Sequence, residues 1–115
     1  MHTHLDSAAL HISNRVKTPI PLNAAQMLNL YRIIQEAVQN AVKHADASQI
    51  DIRFDETQRG FVMTVADDGA GFDPDTAARG NGLVHMQNRC KESGGHFSIN
   101  SSKNGSEIQC RFRIK

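Results

Sequence analysis

From Asn23 to about His44, apolar residues return every three or four positions, at Met27, Leu30, Tyr31, Ile34, Val38, Ala41, Val42 and Ala45. That spacing is one stripe of a long α-helix, with Asn23 in the place of an N-cap. A helix this long must bury its stripe against something, and the chain that follows supplies a sheet. Ile50, Ile52 and Phe54 alternate with Asp51 and Arg53, and Phe61, Met63 and Val65 alternate with Val62, Thr64 and Ala66. Both runs have the period of a strand with one buried face. The polar link from Asp55 to Gly60 predicts the hairpin loop between them, and Ala66 is expected to close the second strand.

The flanks complete the pattern. Leu10, Ile12 and Val16 predict a strand over about 8–16, which Pro19 and Pro21 interrupt. A second helix is expected from Leu83 to Glu92, with Leu83, Met86 and Cys90 inward and Gly94-Gly95 as its stop. Phe97 and Ile99, then Ile108, Cys110, Phe112 and Ile114, predict a closing hairpin turned at Asn104-Gly105. The order strand, helix, hairpin, loop, helix, hairpin predicts an α/β (α+β) two-layer sandwich. Its sheet is mixed and largely antiparallel, and its helices lie on one face. A length of 115 residues leaves room for one domain.

Composition excludes several classes. Thirteen basic and 12 acidic residues give a net charge of +1, which argues against a nucleic-acid partner bound by phosphate neutralisation. No apolar run is long enough to cross a membrane, and the opening Met1-His2-Thr3-His4 does not read as a signal peptide. The two cysteines, Cys90 and Cys110, fall at apolar positions and are expected to be buried, reduced thiols of a cytoplasmic domain.

Three features carry possible chemistry. On the long helix, Glu36 and Asn40 are neighbours one turn apart, and Lys43 lies close by on a polar face opposite the apolar stripe. A carboxylate and an amide oxygen so placed suit Mg²⁺, which takes oxygen ligands and keeps waters and phosphates; a solvated helix face is the plainer reading. Asp67-Asp68-Gly69-Ala70-Gly71 directly follows a strand, where an acid can accept from an exocyclic amine and glycines admit a ligand. Gly80-Asn81-Gly82-Leu83 directly precedes a helix, whose free N–H groups favour phosphate. No phosphate-binding loop ending in Gly-Lys-Ser/Thr is present. The third Gly of a dinucleotide fingerprint is replaced by Pro74 or His85, and no EF-hand loop fits the acidic stretch.

Taken in order, these motifs resemble the boxes of sensor histidine kinases of the nitrate-sensor and DesK-like subfamily. Residues 31–45, with Gln35-Glu36-Ala37 and Asn40-Ala41-Val42-Lys43-His44-Ala45, resemble the N box. Asp67-x-Gly69-x-Gly71 and Gly80-x-Gly82-Leu83 resemble the two glycine boxes, and Gly105-Ser106 resembles a late Gly-Thr beside the adenine pocket. The resemblance implies the ATP-binding fold shared by gyrase, Hsp90, histidine kinases and MutL. Residues 1–21 would be a strand and linker of the same domain, and 22–115 the catalytic ATP-binding part.

By the same resemblance, ATP and Mg²⁺ are the expected ligands. Asn40, with Glu36, would hold the metal, and Glu36 would orient or deprotonate the attacking group. Lys43 or His44 would face the phosphates, and Asp67 would take the adenine amino group. Gly69, Gly71, Gly80, Gly82, Leu83 and Ser106 would shape the pocket, and residues 72–79 would be a short lid. The γ-phosphate would pass to a histidine on a separate dimerisation domain and on to a response regulator. No histidine of the chain precedes an acid, as the phosphoacceptor would, so the chain is expected to be a monomeric catalytic fragment that does not phosphorylate itself. Its parent would be a homodimer at the inner membrane with this domain on the cytoplasmic side. A stand-alone serine kinase of the anti-sigma type, or a nucleotide-binding module without transfer activity, is the alternative.

Overall fold

The computed structural model describes residues 9–17, 19–43, 46–69, 82–102 and 104–113. Helix α1 spans Ala24–Lys43 and begins where the sequence places its cap. Asn23 Oδ1 accepts the Gln26 N–H at 2.8 Å, and Gln26 Oε1 accepts the Asn23 N–H at 2.8 Å. This reciprocal box satisfies two donors that a helix start leaves free. The chain after α1 is turned by Asp46, whose φ is 51°, and the Ala47 N–H returns to the Ala41 carbonyl at 3.0 Å.

Five strands form one sheet in the order β1-β2-β3-β5-β4. They are β1 (Ala9–Asn14), β2 (Gln49–Thr57), β3 (Gly60–Asp67), β4 (Gly95–Ser102) and β5 (Gly105–Arg113). β1 is an exposed edge strand running parallel to β2, with Leu10 beside Ile50 and Ile12 beside Ile52. α1 is the crossover that parallel neighbours require. The remaining pairs are antiparallel, so the sheet is mixed, as expected from sequence.

The hairpins are tighter than the sequence pattern suggests. Thr57 pairs with Gly60, so Asp55, Glu56 and Thr57 belong to β2 and only Gln58 and Arg59 make the turn. β3 runs one residue beyond Ala66, to Asp67. Ser102 pairs with Gly105, which places Gly105 in β5 rather than in the turn. In each case cross-strand pairing extends the ladder over polar residues that have no apolar alternation to announce it.

Helix α2 spans Gly82–Glu92, and Gly94, at φ +86°, ends it in the left-handed conformation that glycine adopts without steric cost. Two side chains on the first turns of α1 hold this end. Gln26 Nε2 donates to the Ser93 carbonyl and Asn29 Nδ2 to Ser93 Oγ, each at 3.0 Å.

The buried stripe of α1 is Leu30, Ile33, Ala37 and Ala41, packed with Ile50, Ile52, Met63, Val65, Ile108 and Cys110. This corrects the sequence reading. Met27 and Tyr31 are 42% and 59% exposed, and the buried centre is turned by about 75° toward Asn40. Glu36 and Asn40 therefore flank the core, half-buried, instead of facing away from it. Cys90 on α2 and Cys110 on β5 are buried free thiols. Their mutual hydrogen bond and burial push the Cys110 thiol far above its ordinary range.

Candidate functional site

The last residues of β3 carry two acids with separate duties. Side chains of β3 alternate, so Asp67 shares the helix-facing side of the sheet with Met63 and Val65. Its Oδ2 accepts the Ser106 hydroxyl at 2.5 Å and its Oδ1 accepts the Gly69 N–H at 2.9 Å. Asp68 leaves the ladder and is exposed. It accepts from Ser48 Oγ at 2.6 Å, from the Gln49 N–H at 2.8 Å and from the Ser48 N–H at 2.9 Å. The Ser48 side chain, then the Gln49 N–H, hold the Asp68 carboxyl below its ordinary value. Asp68 thus fastens the start of β2 to the end of β3, while Asp67 is the acid that faces inward.

Across from Asp67 stands Asn40. The two line one narrow cavity, with Ser106 beside Asp67 and with Ala37, Ala41, Val65 and Ile108 as apolar walls. Its free volume is about 10 Å³, room for about one water. A purine ring is larger than this space. A carboxylate offers about four lone-pair directions, so two internal hydrogen bonds leave Asp67 able to accept from a ligand amine. Gly105 lets this corner close, because its φ is +142° and a Cβ there would collide with the Asp67 carbonyl oxygen.

Glu36 lies on the other side of α1's inner edge. It lines a polar cavity of about 110 Å³ between the helices, together with Arg32, Gln39, His85 and Arg89. A Cβ on Gly82 would meet Glu36 Oε1, so the first turn of α2 lies directly against this carboxylate, and an added methyl would turn it aside. Leu83, next along, is half-buried against the core. Lys43 is exposed in the last turn of α1.

The structure therefore brings Asn40, Asp67 and Ser106 around one cavity and sets Glu36, which lies beside Gly82, in another. Gly69 joins the first group through its N–H. His44, Gly71, Gly80 and the expected lid over 72–79 lie outside the described residues. Sequence reasoning missed the small walls Ala37 and Ala41, whose one-turn spacing beside Asn40 was the available signal. It also missed the Ser48–Asp68 clamp, for which a lone Ser gives no signal. Among the described residues, no group of three or more His, Cys, Asp or Glu side chains could hold a metal alone. Asn40 and Glu36 supply hard oxygen donors one turn apart, the donor type that Mg²⁺ accepts when phosphates complete its shell.

Residues 25–115 match the family model for histidine kinase-, DNA gyrase B- and HSP90-like ATPases. The chain belongs to this ATPase family. It is an ATP-binding domain of the family, and its relatives narrow the branch. It is 33% identical over 104 residues to the signal transduction histidine-protein kinase/phosphatase DegS of Brevibacillus brevis, covering 90% of this chain and 26% of DegS. It is 33% identical over 78 residues to the corresponding UhpB of Salmonella typhimurium, covering 68% of this chain and 16% of UhpB. The chain thus spans about a quarter or less of the curated relatives it matches.

Solved structures agree on the fold of this ATPase domain. The histidine kinase AdeS of Acinetobacter baumannii superposes with a TM-score of 0.77 at 15% identity, over 97% of this chain and 58% of AdeS. The ATP binding domain of PrrB from Mycobacterium tuberculosis gives 0.73 at 20% identity, over 95% of this chain and 82% of that one. No helix among the described residues is long and apolar enough to cross a membrane.

Proposed function

We propose that this chain is the catalytic ATP-binding domain of a sensor histidine kinase. It would deliver the γ-phosphate of ATP to a histidine on a separate dimerisation domain, for relay to a response regulator. The observation that carries this reading is the inward acid. Asp67 ends β3 inside the two-layer sandwich, oriented by Ser106 and Gly69 and facing Asn40 across apolar walls. Once α1 and the end of β3 move apart, such a pocket would suit a purine: Ala41, Val65 and Ile108 would cover its flat apolar surface, and the single carboxylate would read the exocyclic amine. The likeness to DegS and UhpB, both histidine-protein kinases, favours this reading over a serine kinase.

Phosphoryl transfer asks the protein mainly for position and charge. In this reading the purine sits on Asp67, which aims the triphosphate along α1 toward Lys43, His44 and the start of α2. The N–H groups there, Gly82's among them, would donate to phosphate oxygens, and Gly80 would serve the same phosphates. Asn40 and Glu36 would hold Mg²⁺, which when bound neutralises charge on the phosphates. The incoming histidine nitrogen forms its bond to the γ-phosphorus as the bond to the bridging oxygen breaks, and ADP leaves. Glu36, close to α2's first turn, orients that imidazole or takes its proton. Leu83 seats α2 on the core so that these groups keep their spacing.

Residues 1–21 belong to the same domain in this reading, and the fragment is a monomer whose parent is a homodimer. The parent is placed at the inner membrane with this domain on the cytoplasmic side. Calorimetric titration with ATP and Mg²⁺ tests the pocket. Wild type is expected to bind, Asp67→Asn to lose most of the affinity, and Asn40→Asp to lose the Mg²⁺-dependent part. Adding a separately expressed phosphoacceptor domain tests transfer. An acid-labile phosphate on that domain is expected; its absence with every cognate acceptor, while ATP still binds, would leave a nucleotide-binding module only.

A further inference from the structure

A third cavity lies at the end of the sheet farthest from Asp67. The register sets Asp67 opposite Ser106 at one end of the β3–β5 ladder and Gly60 opposite Arg113 at the other. Around this far end Arg59, Arg111, Arg113, His96 and Val62 line a concave space of about 390 Å³. Phe61 and Phe112, register partners whose buried rings stack with centroids 4.8 Å apart on the helix-facing side, also border the space. Val62, Arg111 and His96 are register partners across three strands, on the face of the sheet away from the helices. None of the described residues lining the space is acidic. The carboxylates nearest in register are Asp55, beside Val62, and Glu56, beside Phe61. Glu56 Oε1 already accepts the Lys17 N–H at 3.1 Å.

One of the arginines is held in place. Arg111 Nη2 donates to Gln109 Oε1 at 3.2 Å, and Gln109 Nε2 makes a long contact of 3.5 Å to Thr64 Oγ1. Thr64 is 1% exposed, so the relay is anchored in the sheet. A guanidinium has five N–H donors, and one spent on Gln109 leaves the rest of its fork for a planar oxyanion. Fixing the fork beforehand removes part of the entropy cost of binding. The volume falls within the roughly 300–1,000 Å³ of small-molecule sites.

We propose that this cavity is a second ligand site, taking a small organic molecule with two or more oxyanion groups, with Arg111 and Arg59 as its principal anchors. The site is independent of the nucleotide reading, because it shares no residue with the Asn40–Asp67 cavity.

The test is an amide-resolved NMR titration of the isotopically labelled chain at low salt, with citrate and separately with pyrophosphate. Saturable shifts are expected at Arg59, Val62, His96 and Arg111, with Asn40, Gly69 and Gly82 unmoved by citrate. Arg111→Gln should weaken citrate binding roughly tenfold. Gln109→Leu, which keeps every charge but frees the fork, should weaken it about threefold. Arg59→Gln serves as the second variant if Arg111→Gln loses its dispersed spectrum. Non-saturating shifts shared with Arg15, Lys17 and Lys91 would overturn the proposal, as would shifts confined to the Asn40–Gly82 region. So would binding indifferent to Arg111→Gln and Arg59→Gln, or a response to poly-glutamate but to neither small anion.

Discussion

The Ser106 hydroxyl donates to Asp67 Oδ2 at 2.5 Å, between two residues that are also register partners across β3 and β5. The backbone pairing fixes where the two side chains stand, and the hydrogen bond fixes how the carboxylate is turned. Ser106→Ala should therefore lower ATP affinity about three- to tenfold while leaving the fold intact, because one oriented hydrogen bond is lost. Asp67→Asn should cost roughly ten- to hundredfold, since a charged acceptor is exchanged for an amide whose donor end faces Ser106 or Gly69. Calorimetric titration of both variants checks the order. Equal losses would mean that Ser106 contacts the nucleotide itself.

Gly82 and Glu36 form the second close pair. A Cβ at residue 82 would meet Glu36 Oε1, so Gly82→Ala must move either the helix start or the carboxylate. Because Glu36 Oε1 is the far end of a flexible side chain, the carboxylate can turn aside, and the cost should lie near the lower end of the about 1–3 kcal/mol of overpacking. Glu36→Ala removes the obstacle, so the double variant should be less destabilised than the two singles added together, by about 0.5 kcal/mol. Urea unfolding of the four proteins closes the cycle. Simple additivity would show that α2 does not rest on Glu36 in solution.

At the other end of α1, Asn23 and Gln26 bond each other's N–H groups at 2.8 Å. Asn23→Ala should cost about 1 kcal/mol, or about 4 °C in melting temperature. Gln26→Ala should cost more, because Gln26 Nε2 also holds the Ser93 carbonyl at the end of α2. Thermal melts that rank Asn23→Ala as the worse of the two would contradict the bridging role of Gln26.

These cases show what local sequence carries and what it does not. Asn23 as a cap, Gly94 as a stop and the alternation through Ile52 and Met63 are local, and the structure keeps them. The buried side of α1 is not local. Apolar residues surround most of this helix, and Ile33 and Ala37 stand outside the expected stripe until a sheet selects them over Met27 and Tyr31. That selection moves Asn40 from an outer face to the cavity wall. The parallel placement of β1 beside β2 and the β3-β5-β4 order are equally invisible, because they arise from pairing between distant segments. The pairing of Asp67 with Ser106 was legible only through the family resemblance of Gly105-Ser106. The arginine cavity was not legible at all, since Arg59, His96 and Arg111 are far apart in sequence and meet through strand register alone.

Asp68 links stability to pH. Hydrogen bonds from Ser48 Oγ, then Gln49 and Ser48 N–H groups, hold its folded-state pKa below the ordinary 3.8. The unfolded chain therefore takes up the proton first as the solution is acidified, and it gains relative to the folded state. Asp68's contribution is fully present above the unfolded pKa and is lost as pH falls through the lower, folded one. Asp68→Asn removes the titration and weakens the clamp on Ser48 and Gln49. Urea unfolding of wild type and variant should differ by a constant amount from about pH 7 down to about pH 5, and the gap should close below about pH 4. Two stability curves that stay parallel down to the acid limit would show that the Ser48–Asp68 clamp does not persist in solution.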